Sequence, residues 1–215
     1  MKASLSYDIV FDKLRAMVMS VLSDPKKHEW TLQGFGMLRT YITKETRLHV
    51  WDRDYRVRDV TDVHDHPWHF SSLIISGTIV NTRYEVHPCE HTLEEVHARN
   101  LRTPFMRSSI VCGVGGGNHV ATIKERGELV WLEPREPEEY KTGEIYFQKA
   151  DEVHHSSYSS GAVTLVTRTF QLDTEHAHVF FPADQEWVSA EPRDAKTSEI
   201  ESICKNALHN WSNIP

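Results

Sequence analysis

The sequence predicts a single all-β domain, an antiparallel barrel or sandwich with an α-helix at each end. About ten short runs rich in β-branched and aromatic residues, separated by turn signals, point to strands. Helical periodicity is confined to the two ends of the chain, so the regular strand–helix alternation of a doubly wound sheet is missing. The 215 residues suit one substantial domain.

The first helix is expected over residues 7–22, where Tyr7, Val10, Phe11, Leu14, Val18, Val21 and Leu22 recur at helical spacing and Asp24-Pro25 ends the pattern. Residues 37–42 and 47–52 then read as a hairpin about the polar turn Thr43-Lys44-Glu45-Thr46. Two more strands, 70–75 and 78–86, flank Gly77. Residues 92–98 suit a short helical turn, and Pro88 and Pro104 mark loops. Strands are expected at 109–112, 119–123, 129–132, 144–147, 162–170 and 179–181, with 133–139 an acidic, proline-bearing loop. A second helix is expected over 194–211, with Ile200, Ile203, Ala207, Leu208 and Trp211 on one face beside Cys204. The domain thus divides into an N-terminal helical segment (1–30), a β-barrel (31–190) and a C-terminal helix (191–215).

Composition narrows the function classes. With 39% hydrophobic and 26% charged residues the chain has the balance of a soluble globular protein. No run approaches the roughly 20 apolar residues that span a bilayer, and Met1 to Asp8 hold no apolar signal region, so no membrane partner and a cytoplasmic location are expected. A net charge of -7 argues against nucleic acid, and the cluster Arg53, Arg56, Arg58 is interleaved with Asp52, Asp54, Asp59 and Asp62. Cys89, Cys112 and Cys204 form neither a disulfide framework nor a Cys-x-x-Cys metal knuckle.

Several tempting sites fail on context. The run Gly113 to Asn118 precedes a strand-like segment rather than opening a helix, so it suits a hairpin connection or lid better than a phosphate loop. The serines at 156, 157, 159 and 160 sit in a polar turn without a nucleophile elbow. Glu94-Glu95 and Glu138-Glu139 read as solvated faces.

Histidine is the outlier, with 14 in the chain. In Val63-His64-Asp65-His66-Pro67-Trp68-His69-Phe70 strand alternation turns His64 and His66 to one face. Two imidazoles on one face bind a transition metal when a third ligand arrives from elsewhere. A second stretch, Gly143 to Tyr158, runs from a glycine turn through a strand and a polar bend to His154.

Together these stretches resemble the cupin family. Its first motif pairs His-x-His with a Glu four residues on and a Gly seven further; His64, His66 and Gly77 match, and Phe70 replaces the Glu. Its second motif is matched at Gly143 and His154, while its Pro, Gly and Asn positions carry Lys149, Asp151 and Tyr158. The match covers about 100 residues, loop included, and the His-Asp-His-Pro-Trp string resembles a poorly characterised subgroup, as do Thr169-Phe170, His178 to Phe181 and Trp187-Val188.

The resemblance implies a double-stranded β-helix (jelly-roll) barrel with a metal at its mouth, held by His64, His66 and His154. Three neutral ligands leave open coordination positions and a net 2+ charge, which favours anionic or chelating substrates. Three-histidine iron sites of cupins resemble thiol and diketone-cleaving dioxygenases. The leading expectation is therefore an Fe(II) dioxygenase of a small organic substrate. The alternatives are a Zn, Mn or Ni cupin isomerase, hydrolase or lyase, or a non-enzymatic ligand-binding cupin. Tyr158, Arg83 and Tyr84 are the candidate catalytic residues, with Trp68 a further candidate for the pocket wall. His69 and His155 fall at the wrong strand parity and are expected to face away, and His87 and His91 read as loop residues. The remaining apolar helix faces leave room for a homodimer.

Overall fold

The computed structural model describes residues 2–57, 61, 63–111, 122–171, 176–185 and 192–212. Strands dominate, in two antiparallel sheets, with helices at both ends as the periodicity predicts. The chain begins with α1 (Lys2–Ser23) and a short 3-10 turn, followed by β1 (Thr31–Gln33), β2 (Phe35–Tyr41) and β3 (Thr46–Arg56). β4 (Trp68–Ser76) and β5 (Thr78–Pro88) follow, then α2 (Leu93–Ala98), β6 (Phe105–Val111) and β7 (Thr122–Pro134). The rest comprises β8 (Glu138–Lys141), β9 (Ile145–Gln148), β10 (His154–Tyr158), β11 (Val163–Gln171), β12 (His176–Pro182), β13 (Arg193–Asp194) and α3 (Thr197–Ser212).

The larger sheet has the order β13-β1-β2-β3-β11-β4-β9, and the second runs β10-β5-β7-β6-β12 with β8 beside β5. Strand alternation gives the larger sheet two faces of different character. Leu38, Leu48, Val50, Ile75, Val163 and Leu165 pack outward against Val18 and Leu22 of α1 and Ile203, Ala207 and Trp211 of α3. On the opposite face Met37, Trp51, Phe70, Ile74 and Val166 meet Ile79 of β5 and Tyr158 of β10, forming the core between the sheets. A third core joins Val130, Leu132, Val153 and Phe180. The helices therefore act as a lid on one sheet and leave the space between the sheets for chemistry.

Residues 63–65 link the two outer strands of the second sheet. His64 N–H donates to His154 O (3.0 Å) and His154 N–H returns to His64 O (2.9 Å). On the other side Asp65 N–H donates to His178 O (3.1 Å), and Phe180 N–H donates to Val63 O (3.0 Å). Gly77 makes the β4–β5 turn at φ +84, where a Cβ would lie 2.7 Å from Ser159 Oγ. Only glycine takes that conformation and that approach without strain.

Three local expectations are corrected. Ser156 and Ser157 lie in strand β10 rather than in a polar turn, because the segment pairs along β5 and turns His154, Ser156 and Tyr158 inward. The acidic loop ends in strand β8, paired with β5 from Thr78 to Asn81. There Glu138 is not simply solvated, since it takes the guanidinium of Arg83. The short helical turn expected over 92–98 is present as α2, closed by a capping box between Thr92 and Glu95. The Gly113–Asn118 run, Cys112, Arg58, Asp59, Asp62 and Trp187-Val188 lie outside the described residues. Among the described residues no helix is long and apolar enough to cross a membrane.

Candidate metal centre

Alternation along residues 63–66 sends Val63 and Asp65 to one side and His64 and His66 to the other. His154 reaches the same space from β10, a strand that the chain enters some ninety residues later. The ligand atoms of these three histidines lie within 4.8 Å of one another, so the three-imidazole group expected from the sequence is assembled. His64 Nε2 and His66 Nε2 stand 3.1 Å apart. Nitrogens about 2.1 Å from one ion and at right angles would lie ~3 Å apart, so this spacing suits two ligands of one ion. Without an ion, the same two atoms must share a proton.

The third ligand's orientation follows from hydrogen-bond polarity. The Glu152 carboxylate and carbonyl only accept, and both take Gln148 Nε2 at 3.0 Å. Gln148 Oε1 must then accept, and does so from Asn81 Nδ2 at 3.1 Å. That leaves Asn81 Oδ1 facing His154 Nδ1 at 2.8 Å, so the histidine donates there. The lone pair of His154 is thereby placed on Nε2, which is buried and has no hydrogen-bond partner. Asn81, Gln148 and His154 are all buried, so water does not scramble the chain. An orphaned, correctly tautomerised nitrogen aimed at two other imidazoles is what a metal ligand requires. The residues present fit a metal ion.

Electrostatics agree. Burial pushes the His66 and His154 imidazoles well below the ordinary histidine range, and the neighbouring His64 pushes both further down. Neutral imidazoles are ready ligands, because no proton must first be displaced. The walls are aromatic: Trp68 stacks on His66 (5.1 Å), Phe70 meets His66 edge-on (5.3 Å) and Phe35 stacks on His64 (6.3 Å). Phe70 is buried against two of the imidazoles, 5.3 Å from His66 and 6.0 Å from His154, so it adds an apolar wall and no ligand atom.

The three candidate catalytic residues are dispersed. Arg83 lies opposite His154 in the β5–β10 register and shares its face. Its guanidinium is engaged by Glu138 and by Glu152 (3.0 Å), and donates to Phe147 O (2.8 Å). Tyr158 points inward too, but its hydroxyl donates to Phe35 O at 2.6 Å, which braces the ring that stacks on His64. Tyr84 is not brought to the group; it packs against the third core, on the other face of β5 from Asn81 and Arg83. His69 accepts from Ala150 N–H (2.7 Å) and stacks on Phe170, facing away as its parity predicts. Among the described residues His155 is not part of the metal-competent group. His87 lies near Glu85 and Glu133, and Cys89 contacts His91 O.

Sequence reasoning missed Asn81 and Gln148, which fix the tautomer. It also missed a second histidine site behind the first. His178 Nδ1 donates to Asp65 Oδ2 (2.7 Å), Asp65 Oδ1 accepts His178 N–H (2.6 Å), and Arg107 Nη2 donates to His178 Nε2 (3.3 Å). Only the alternation His-Asp-His hinted that Asp65 would face elsewhere. In comparisons with known proteins, no family model matches the chain and no curated protein matches it.

Proposed function

We propose that the chain is a cupin-type jelly-roll barrel in which His64, His66 and His154 hold Fe(II), and that it acts as a non-haem dioxygenase of a small anionic or chelating organic substrate. The observation that carries this reading is the buried, unpartnered Nε2 of His154, aimed at His64 and His66 and held in that tautomer by Asn81. Support for the barrel comes from the two antiparallel sheets, with the histidines at the seam where residues 63–65 bridge β10 and β12. Fe(II) at that centre would supply redox chemistry toward dioxygen and polarise a chelating substrate.

The protein's own residues supply the rest. Three neutral ligands leave positions open and bring no negative charge, so an anionic donor on the substrate completes the charge balance. Trp68, Phe70 and Phe35 exclude water from one side. Asn81 and Gln148 hold His154 still, so the site does not reorganise when ligands enter. Both atoms of dioxygen would enter the product, so no external reductant is required.

Loading metal-free protein separately with Fe(II) and Zn(II) tests the proposal. Oxygen uptake should accompany turnover of a thiol such as 3-mercaptopropionate or a diketone such as acetylacetone in the iron form alone. Turnover by the zinc form without oxygen would replace the dioxygenase with a Lewis-acid enzyme. Absence of any iron-dependent oxygen uptake across such substrates would reject it.

A further inference from the structure

The inner face of the larger sheet carries positive charge beside the histidines. Cross-strand register pairs Arg39 with His49 and Tyr41 with Arg47 on β2 and β3. The Arg47 guanidinium lies over both Tyr41 (5.0 Å) and Trp68 (5.3 Å), and Arg39 lies over Tyr41 (5.9 Å). Arg168 of β11 also lies over Trp68 (5.6 Å), with one nitrogen donating to Lys44 O (2.7 Å). Trp68 in turn stacks on His66, so a single indole touches both the cationic group and the proposed metal ligand.

Two buried polar atoms in this group have no partner. Arg47 Nε and His49 Nε2 are shielded from solvent and make no hydrogen bond. His49 is only 8% exposed, and burial followed by Arg47 and Arg39 holds its imidazole well below the ordinary range. Burial and the neighbouring Arg39 also lower Arg47, to about 10. Among the described residues no carboxylate forms an ion pair with Arg47. A guanidinium with no carboxylate ion pair and a buried N–H left unsatisfied, as in Arg47, is costly unless an anion is bound. Tyr41, over which Arg47 and Arg39 lie, is itself exposed.

We infer that Arg47, with Arg39, His49 and Arg168 around it, is an oxyanion-binding subsite that holds the carboxylate of the substrate while another donor of the same molecule reaches the histidine centre. Guanidinium forks bind carboxylates in two parallel hydrogen bonds, which fixes orientation as well as charge. The ligand is then a small, two-ended acid, and Trp68 packs against its middle. The inference rests on the metal-centre reading for the far end of the ligand only.

Calorimetry with malonate as the probe, and dimethyl malonate as the neutral control, tests the subsite in metal-free protein. Malonate should bind the wild type, the ester should not, and Arg47→Met should weaken malonate about tenfold or more. Arg47→Lys, which keeps the charge without the fork, and Arg168→Met should each give a smaller loss. These two carry the test if Arg47→Met does not fold. Equal binding of acid and ester, or of wild type and all folded variants, overturns the subsite. Zinc uptake is measured in the same preparations and should be unchanged in every variant. Lost zinc uptake in the wild type, with malonate binding still sensitive to Arg47, would instead remove the metal reading and leave the subsite standing.

Discussion

Residues 63–66 send side chains into two histidine sites that differ in one respect. Behind this segment, His178 is closed: Nδ1 donates to Asp65 and Nε2 accepts from Arg107. In front, His154 is half closed: Nδ1 donates to Asn81 and Nε2 is buried with nothing to bond. In the first site both ring nitrogens of the histidine are bonded, as in a structural polar network. The second leaves the full desolvation cost of an imidazole nitrogen uncompensated, which proteins retain where a ligand will bind. The comparison teaches that a histidine's remaining lone pair says more about function than the number of histidines nearby.

Substitutions on the two sides should therefore separate metal binding from stability. The largest effect is expected for His154→Ala, which should abolish stoichiometric metal uptake, measured by elemental analysis; retention of a full equivalent would break the comparison. Asn81→Leu comes next. Removing the acceptor for Nδ1 should weaken metal binding ~10–100-fold in a competition assay with a chelator, while His64 and His66 remain. Asp65→Ala should do the converse. It strands the His178 donors and should cost about 2–3 kcal/mol in denaturant unfolding, with metal affinity little changed.

A pH series sharpens the same contrast with a smaller effect. His66 and His154 are held neutral in the folded chain, so the unfolded chain takes up their protons first as pH falls. The stability they contribute is present above the unfolded value of about 6.5 and is lost as pH falls below it. Metal-free protein should unfold progressively more easily between pH 7 and pH 5, and metal should dissociate over the same range because protons compete for the ligands. A shallower stability profile in His66→Gln/His154→Gln than in wild type, with the remaining slope left to buried His49, would assign the difference to these two imidazoles.

Much of the architecture was legible in the sequence, because apolar periodicity reports which face is buried. Both terminal helices and the 43–46 hairpin turn follow from it. The strand β10 did not, since His-His-Ser-Ser-Tyr lacks the apolar alternation of a strand whose inner face is apolar. Its inner face is polar because it faces the site. β8 was hidden for the opposite reason: its exposed glutamates suit a loop equally well. Parity selected His64 and His66 over His69 directly. The choice of His154 over His155 needed the spacing to Gly143. Asn81 and Gln148 were invisible, because their placement depends on register between strands far apart in sequence, and the gathering of Arg47 and Arg168 about Trp68 was hidden for the same reason. The Asp65–His178 contact likewise joins positions separated by 113 residues.

The central claim is that one ion binds His64, His66 and His154 through Nε2. The most direct test is a crystal structure of metal-loaded protein without an affinity tag, with an anomalous-scattering map at the metal edge. A single strong peak about 2.1 Å from all three Nε2 atoms is the predicted result. No peak at those atoms, or a peak at His178 and Asp65 instead, would contradict the account.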